Sequence, residues 1–237
     1  MIPRNVLVFD LFGDYAQFRK YFTNMSPMSF SIPPRTVLTG IVGAILGIGK
    51  DDNPELFSRD LSFFGLRILH PVKKLEIPQN YIKTSGSMKD FYNLTEHKPT
   101  IVEFLKDVRY RIYVAHAKKQ DVLRFLLQNH QSTYTLCLGI SACLANFEYI
   151  GEYGITRQDS AEFVELDSVV PMASVVDIDF SGTVNIQKAT VPLYMQNDRV
   201  VTEYADILYE QLGEPVRVQL ADSYYRVEEL NDLIHEY

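Results

Sequence analysis

Residues 5–11 (NVLVFDL) form a continuous apolar run near the start of the sequence. Such a run predicts a central strand with both faces buried, because a half-exposed strand alternates apolar and polar residues. Residues 12–14 (FGD) predict the end of that strand. The next deciding stretch, residues 37–48 (VLTGIVGAILGI), predicts a helix. The prolines just before it suit a helix approach, and Thr36 is the expected N-cap.

Three glycines of this helix, Gly40, Gly43 and Gly47, recur at spacings of three and four and therefore share one face. Each glycine lowers helix stability by roughly 1 kcal/mol relative to alanine, so three on one stripe need a reason. Either the helix packs very closely on a sheet, or another backbone lies against it. The two explanations are compatible.

The first 140 residues follow the order strand, helix, strand, strand, helix, strand. The remaining elements are expected at residues 61–70, 108–115 and 134–138 for the strands and 121–129 for the helix. This order predicts an α+β fold with a ferredoxin-like (RRM-type) N-terminal domain. The polar stretch at residues 71–99 predicts a long inserted loop, and loops of that length in compact domains are usually functional or disordered.

A smaller, β-rich C-terminal region is expected to follow. Its strands are predicted at residues 163–170, 175–180, 189–194 and 215–220. Residues 202–212 predict a helix that ends at Gly213, and residues 227–236 predict a short terminal helix. The chain is thus expected to divide into a domain over residues 1–145, with the insertion at about 71–100, and an acidic region over residues 146–237.

Charge is distributed unevenly along the 237 residues, whose formal net charge is −7. Residues 1–130 hold 18 Lys and Arg against 12 Asp and Glu, whereas residues 131–237 hold 5 against 18. A negative net charge argues against nucleic-acid binding. The asymmetry, however, indicates that the basic part of the sequence faces a polyanion and that the acidic part does not. Chance variation of surface charge is the alternative explanation.

Composition and motifs argue against several classes of protein. No apolar run approaches the roughly 20 residues of a membrane span, and no signal peptide is expected before the first strand. Cys137 and Cys143 fit no metal or redox spacing and are expected to be reduced, in a cytoplasmic protein. The five histidines lack metal-ligand spacing, and no phosphate-binding loop, dinucleotide motif or nucleophile elbow is present. No cofactor and no metal are expected.

Basic residues near the two deciding stretches are candidate phosphate ligands. Arg19 and Lys20 sit among aromatic residues. Arg35, Thr36 and Thr39 lie at the predicted helix N-terminus, where free N–H groups and the helix dipole favour an anion. Alternatively, Thr36 only caps the helix and Arg35 points to solvent.

The strand at residues 108–115 alternates in character. Its apolar face is made by Val108, Tyr110, Ile112 and Val114, and the opposite face by Arg109, Arg111 and Tyr113. Arg109 and Arg111 are candidate RNA ligands, because RRM-type sheets present such a face to bases. A solvated outer face is the alternative, and the aromatic pattern of ordinary RRM domains is missing.

A second hypothesis is a metal-independent RNA-cleaving site. His116, Lys118 and Lys119 follow the same strand, and with Tyr113 they supply a general acid or base and a cation for the pentavalent phosphate. The alternative is an ordinary loop with solvated charges.

The N-terminal sequence resembles a known family. Residues 9–19 (FDLFGDYAQFR) and 29–47 (SFSIPPRTVLTGIVGAILG) are similar to the amino-terminal signature of the Cas-five family, RAMP-superfamily subunits of type I CRISPR Cascade complexes. The pattern PPRT-x-x-x-G-x-x-x-A-x-x-G is its specific part, and residues 134–139 (YTLCLG) resemble the family's fourth-strand region. The length and the absence of extra domains are most similar to subtype I-B.

This resemblance implies a non-catalytic subunit in antiviral defence that caps a filament of Cas-seven subunits beside the large subunit of Cascade. It would hold the 5′ handle of crRNA and send a thumb loop towards its neighbour. The residues expected to approach the handle backbone are Arg19, Lys20, Arg35, Thr36 and Thr39, with Gly40 permitting close approach. The lysine-rich stretch at residues 73–98, which includes Lys83 and Lys89, is expected to be the thumb.

Two other functions stay open at the level of sequence. One branch of the family, in subtype I-C, cleaves its own crRNA precursor with tyrosine, lysine and histidine, and the residues around His116 match that arrangement only loosely. The third hypothesis is a ferredoxin-like protein with an unknown small ligand, because a fold alone does not define a function.

Overall fold

The computed structural model describes residues 4–23, 25–82, 97–159, 162–182 and 185–237. Its helices are α1 (Arg35–Leu46), α2 (Asn53–Leu56) and α3 (Gln120–Gln128), with a 3-10 turn at Met172–Ser174. Its strands are β1 (Asn5–Ala16), β2 (Ser62–Ile68), β3 (Lys73–Ile82), β4 (His97–His116), β5 (Asn146–Gln158), β6 (Phe163–Leu166), β7 (Val170–Pro171), β8 (Val175–Ile178), β9 (Ile186–Met195), β10 (Val201–Glu210), β11 (Val216–Leu220), β12 (Tyr224–Val227) and β13 (Leu233–Ile234). None of the helices in the described ranges is long and apolar enough to cross a membrane.

A seven-stranded antiparallel sheet forms the centre of the molecule. Its strand order is β13-β12-β5-β1-β4-β2, with β3 pairing to β4 off this path. The predicted central position of β1 is confirmed, because the strand pairs with β4 on one side and β5 on the other and buries residues 6–11. The strand continues through Gly13 to Ala16, beyond its predicted end, because Gly13 and Ala16 stay in register with Val108 and Leu105.

One face of this sheet packs against α1 and α3 and forms the main core. The apolar face predicted for β4 is confirmed: Val108, Tyr110, Ile112 and Val114 all belong to this core. The other face carries a second cluster in which Tyr113 and Ala115 contact residues of β12 and β13. Both faces of the central strands are therefore covered, in agreement with the continuous apolar run of β1.

The strand predicted at residues 134–138 is wrong, and β5 takes the place beside β1. Residues 133–145 instead form a compact connection that closes the end of α1. Thr133 and Tyr134 donate backbone hydrogen bonds to the carbonyls of Ile45 and Ala44, and Leu138 N–H donates to the Cys143 carbonyl. The central sheet thus draws strands from both sides of residue 145.

The stretch predicted as a polar loop at residues 71–99 contains a strand. Residues 73–82 of β3 pair with residues 97–106 of β4 and form a two-stranded arm. Because β4 runs on from the arm into the central sheet, the arm is an extension of that sheet. Its outer half, residues 78–82 and 97–101, is largely exposed.

Both C-terminal helices predicted from the sequence are strands. Residues 201–210 pair with β9, so that Ile207 and Tyr209 face the main core, and partner pairing outweighs the helix-like ends at Thr202 and Gly213. Residues 224–234 form the pair β12–β13, and the positive φ angles of Glu229 and Asn231 turn the chain between them. The four other strands predicted in this region correspond to β6 with β7, β8, β9 and β11.

Gly139 lies in the connection at residues 133–145 and provides a test of its packing against the residues that follow β1. Its φ angle is +93°, and an added Cβ would collide with the Gln17 carbonyl oxygen. We expect Gly139→Ala to lower the free energy of unfolding by about 3 kcal/mol in a urea titration. Gly40→Ala is the matched control, because nothing lies within 4 Å of its added Cβ, and it should stabilise the helix by about 0.5–1 kcal/mol. Equal unfolding midpoints for the two variants would contradict this packing.

Candidate nucleic-acid interface

A loop at residues 17–30 follows β1 and presents the first two candidate ligands. Buried Phe18 and Phe30 anchor its two ends, and Lys20 N–H donates to the Met28 carbonyl, so the loop doubles back on itself. Arg19 is exposed and donates to the Thr23 carbonyl at 3.2 Å. Lys20 is half-buried beside the base of the arm. Both side chains therefore lie where an anionic ligand can reach them.

Lys20 lies near an ion pair at the base of the arm. Lys74 Nζ lies 3.0 Å from Glu103 Oε1, and Glu103 also accepts the Ser29 N–H. Burial and the neighbouring Lys74 lower the pKa of Lys20, while Glu103 acts in the opposite direction. Two ammonium groups near one another, with a single carboxylate paired to Lys74, leave an excess positive charge, which a phosphate would complement. The sequence places Lys74 in the stretch predicted as the thumb but does not single it out as a ligand, because its pairing with Glu103 depends on the arm.

Three exposed aromatic side chains lie on the same loop and the neighbouring strand β10. The ring of Tyr21 contacts Phe22 at 5.1 Å and Tyr204 at 5.2 Å between centroids. We call Tyr21, Phe22 and Tyr204 the aromatic ledge. The sequence places Tyr21 and Phe22 next to the basic pair, but Tyr204 belongs to the stretch wrongly predicted as a helix.

Arg35 does not lie at a phosphate-binding surface. Its side chain is 1% exposed and donates to the Tyr237 carbonyl at 3.0 Å, the Phe57 carbonyl at 3.2 Å and Ser62 Oγ at 2.9 Å. The guanidinium also stacks 4.2 Å from the ring centroid of Tyr194. Burial lowers its pKa, although arginine stays charged. The predicted contact of Arg35 with the RNA backbone is therefore wrong for this structure.

The other candidates of α1 separate into one buried and two accessible positions. Thr39 is buried and donates to the Thr36 carbonyl at 2.9 Å. Thr36 is not the N-cap, because the helix is preceded by Pro34 at the cap position without a side-chain hydrogen bond. Thr36 and Gly40 line an open groove of about 440 Å³. The other residues along this groove include Ala44, Ile48, Lys50, Asn53, Tyr134, Met195 and Arg199.

The glycine stripe serves close packing at two of its three positions. A Cβ on Gly43 would collide with the amide of Asn53, which donates to the Thr39 carbonyl at 2.9 Å. Gly47 closes the helix with a φ of +73° against Thr133. Gly40 has no such neighbour and opens onto the groove.

Arg109 and Arg111 are engaged by carboxylates on their sheet face. Asp10 lies 3.0 Å from Arg109 and 2.8 Å from Arg111, and Glu148 contacts Arg109 at 2.7 Å. Asp232, which accepts the Tyr113 hydroxyl at 2.5 Å, lies 3.7 Å from Arg111. The sheet face that carries Arg109 and Arg111 was predicted to be open, but the C-terminal strands partly cover it. The Arg109 side chain is nevertheless 31% exposed.

The residues of the alternative cleavage site do not converge. Tyr113 is buried and faces β12 and β13, whereas buried His116 packs edge-on against Phe57 on the helix side of the sheet. His116 Nδ1 accepts the Lys118 N–H at 3.1 Å, and burial lowers the pKa of this histidine. Lys118 is exposed and Lys119 half-buried. The structure therefore separates the two groups proposed for proton transfer by the thickness of the sheet.

Lys83 and Lys89, the predicted thumb ligands, lie outside the described residues. Within the described ranges, no group of three or more His, Cys, Asp or Glu side chains is arranged to hold a metal ion.

Comparison with known proteins shows the family of the chain. A family model described as CRISPR-associated protein (Cas_Cas5) matches residues 6–170. This match covers more than half of the sequence, and the chain belongs to the Cas5 family of CRISPR-associated proteins. The resemblance noted in the N-terminal signature is confirmed at the level of the family. Among curated proteins, the comparison finds no match.

Two solved structures are similar to the fold over nearly its whole length. A CRISPR protein from Archaeoglobus fulgidus matches with a TM-score of 0.57 and 15% identity, over 97% of both chains. A chain from a CRISPR RNA-guided surveillance complex matches with a TM-score of 0.55 and 15% identity, over 91% of both chains. At this identity the likeness concerns the fold.

The different environments of two arginines generate a prediction. We expect Arg35→Ala to lower the free energy of unfolding by about 3 kcal/mol or more, because it removes the side-chain donor to the buried Tyr237 carbonyl, one of two donors to the Phe57 carbonyl, and the packing against Tyr194. Arg19→Ala should change it by less than about 0.5 kcal/mol, because that side chain is exposed. Urea unfolding followed by circular dichroism measures both. A native-like unfolding midpoint for Arg35→Ala would show that the buried contacts are dispensable.

Proposed function

We propose that this chain is a non-catalytic subunit of a type I CRISPR surveillance complex (Cascade) that binds the 5′ handle of crRNA. The observation that carries the proposal is the projecting arm of β3 and β4 with the lysine cluster at its base, in a chain of the Cas5 family. Among the described residues, no comparable feature supports the alternative functions.

The arm suits a ligand that runs along an extended surface. Lys73, Lys74, Lys98 and Lys106 all lie on its two strands and are exposed. Lys73 and Lys106 are directly opposite in the register, and like charges in such positions are destabilising in the free protein. An RNA backbone would relieve this repulsion, and neutralising its phosphates releases counterions.

The topology supports an RRM-type core for the subunit. β1, α1, β2, β4, α3 and β5 follow the strand and helix order of ferredoxin-like domains, with the four strands in spatial order β5-β1-β4-β2. The sheet face opposite the helices is partly covered here by β12 and β13. RNA is therefore expected to run along the arm and its base, with Arg109 at the margin, and not across the sheet.

The partners follow from the same reasoning. The outer half of the arm exposes Tyr81, Ile82 and Ile101, a surface suited to a neighbouring protein. We assign this surface to the Cas-seven subunit at the end of the filament, with the large subunit of Cascade on another face. The complex is expected in the cytoplasm, and subtype I-B is the proposed class.

The absence of catalysis is part of the proposal. Acid–base cleavage of RNA requires a proton-transfer group within hydrogen-bond reach of the substrate. His116 is buried under Phe57, and Tyr113 is buried on the opposite face. Processing of the precursor is therefore assigned to a separate enzyme.

A single gel experiment tests binding and cleavage together. The purified chain is incubated with the CRISPR repeat RNA of its own locus in EDTA, alone and with its partner subunits. We expect a shift without cleavage, and an affinity that falls as salt rises. Specific cleavage that Lys118→Ala removes would replace this proposal with the nuclease hypothesis, and Lys118 is the informative position because its exposed side chain can change without disturbing the core.

The lysine cluster provides the matched variants. Lys20→Ala with Lys74→Ala should weaken RNA binding and reduce the slope of log K against log salt by about 0.7 for each phosphate that these lysines neutralise. Lys188→Ala is the control, because this exposed lysine pairs with Asp206 on the C-terminal strands. Equal salt slopes for the double variant and the control would show that Lys20 and Lys74, at the base of the arm, do not contact the RNA phosphates.

A further inference from the structure

We propose that the aromatic ledge formed by Tyr21, Phe22 and Tyr204 stacks unpaired bases of single-stranded RNA, with Lys20 and Lys74 holding the adjoining phosphates. This inference rests on the proposed function and deepens it, because it assigns the position at which a base, and not only the backbone, is held.

Exposure is the first reason. Tyr21 and Phe22 are each 61% exposed and Tyr204 is 43% exposed, yet the Tyr21 ring contacts both of the other rings. Single exposed aromatic residues are ordinary, but a contiguous exposed patch marks a binding surface. The neighbouring aromatic residues of the loop, Phe18 and Phe30, are buried. The core therefore accepts aromatic side chains from this loop, and the exposure of Tyr21 and Phe22 needs another explanation.

The geometry of the rings is the second reason. Tyr21 lies nearly perpendicular to Phe22, at 89°, and is tilted by 52° against Tyr204. The rings therefore do not stack face to face on one another, which leaves π-faces for other planar groups. Base–aromatic stacking is independent of sequence, since every base has a π-face.

Charge decides between RNA and a protein partner. Lys20 Nζ lies 5.9 Å from the centroid of Phe22, and Lys74 lies close enough to lower the pKa of Lys20. Glu103 is the one described carboxylate that acts on both lysines. Exposed rings beside a surplus of cations match the stacking and phosphate contacts of single-stranded nucleic acid. The core of a protein interface, by contrast, is depleted in lysine.

The ledge also joins two distant parts of the chain. Tyr21 and Phe22 belong to the loop after β1, and Tyr204 belongs to β10 in the acidic C-terminal half. The predicted RNA surface therefore extends beyond the basic half of the sequence by one aromatic side chain.

The test uses the full chain and the repeat RNA of its own locus, in which one adenine at a time is replaced by 2-aminopurine. Stacking quenches the fluorescence of this base. We expect at least one position to be quenched on binding, and Tyr21→Leu with Phe22→Leu to abolish that quenching and lower the affinity about tenfold. The salt slope should stay unchanged, because the lysines that neutralise the phosphates are kept.

Phe125→Leu is the matched control, since Phe125 is 58% exposed on α3 and lies outside the ledge. It should keep both the quenching and the affinity. Unfolding midpoints of all variants are measured in parallel, and the exposed positions are expected to keep the parent value.

Each contrary outcome has its own meaning. If the parent binds RNA and the ledge variant retains affinity and quenching, the stacking role is overturned while the proposed function stands. If RNA binding is unchanged but the variant no longer assembles with the partner subunits, the ledge is a protein-docking surface and the inference is wrong. If the parent binds no RNA, alone or with its partners, the proposed function fails and the inference fails with it.

Discussion

The buried guanidinium of Arg35 holds together the segments on which the rest of the structure depends. Arg35 is the first residue of α1, and its side chain donates to the carbonyl groups of Phe57 and Tyr237. Tyr237 in turn donates its N–H to the Phe64 carbonyl and its hydroxyl to the Pro33 carbonyl. A buried charge is tolerated only when its donors are satisfied. The helix start, the entrance to β2 and the last described residue are therefore fixed relative to one another by one side chain.

This constraint explains why a basic residue in a family signature need not be a ligand. The stretch containing Pro33, Pro34 and Arg35 belongs to the signature noted in the sequence, and in this structure it serves folding: the prolines precede the helix, and the arginine donates hydrogen bonds inside the core. The accessible positive charge lies elsewhere, on the loop after β1 and on the arm. The surface proposed to meet RNA is consequently assembled from segments whose individual sequences carry a weaker signal.

β1, α1, β2, β4 and α3 could be predicted from sequence, because the local patterns there agree with the tertiary structure, whereas α2 and β3 were not predicted. The continuous run of β1 and the alternation of β4 each agree with the faces that the structure buries, and α3 buries Leu123 and Leu127 on one side. The predictions of a strand at residues 134–138 and a helix at 202–212 are wrong for a different reason. Both are short segments whose state is decided by their partners, the end of α1 for one and β9 for the other.

Some residues of the candidate site could likewise be predicted from sequence, and others could not. Arg19 and Lys20 could be found because they stand in one short basic and aromatic stretch of sequence. The burial of Arg35 could not, since it requires Tyr237, 202 positions away. The same holds for Tyr204 on the ledge and for Asp10, which pairs with both Arg109 and Arg111 of β4. Contacts between residues far apart in sequence decide which charged side chains remain accessible to a ligand, and these contacts cannot be read from a single sequence.

The continuity of β4 has a mechanical consequence. This strand pairs with β3 over ten residues, a reach of about 33 Å, and then with β1 and β2 in the centre of the sheet. Asp107, with a φ of 55°, interrupts the regular backbone where the arm leaves the sheet. The arm is therefore a continuation of the central sheet, with Asp107 as the irregular residue at its base. A partner bound along the arm would contact a strand that continues into the core of the molecule.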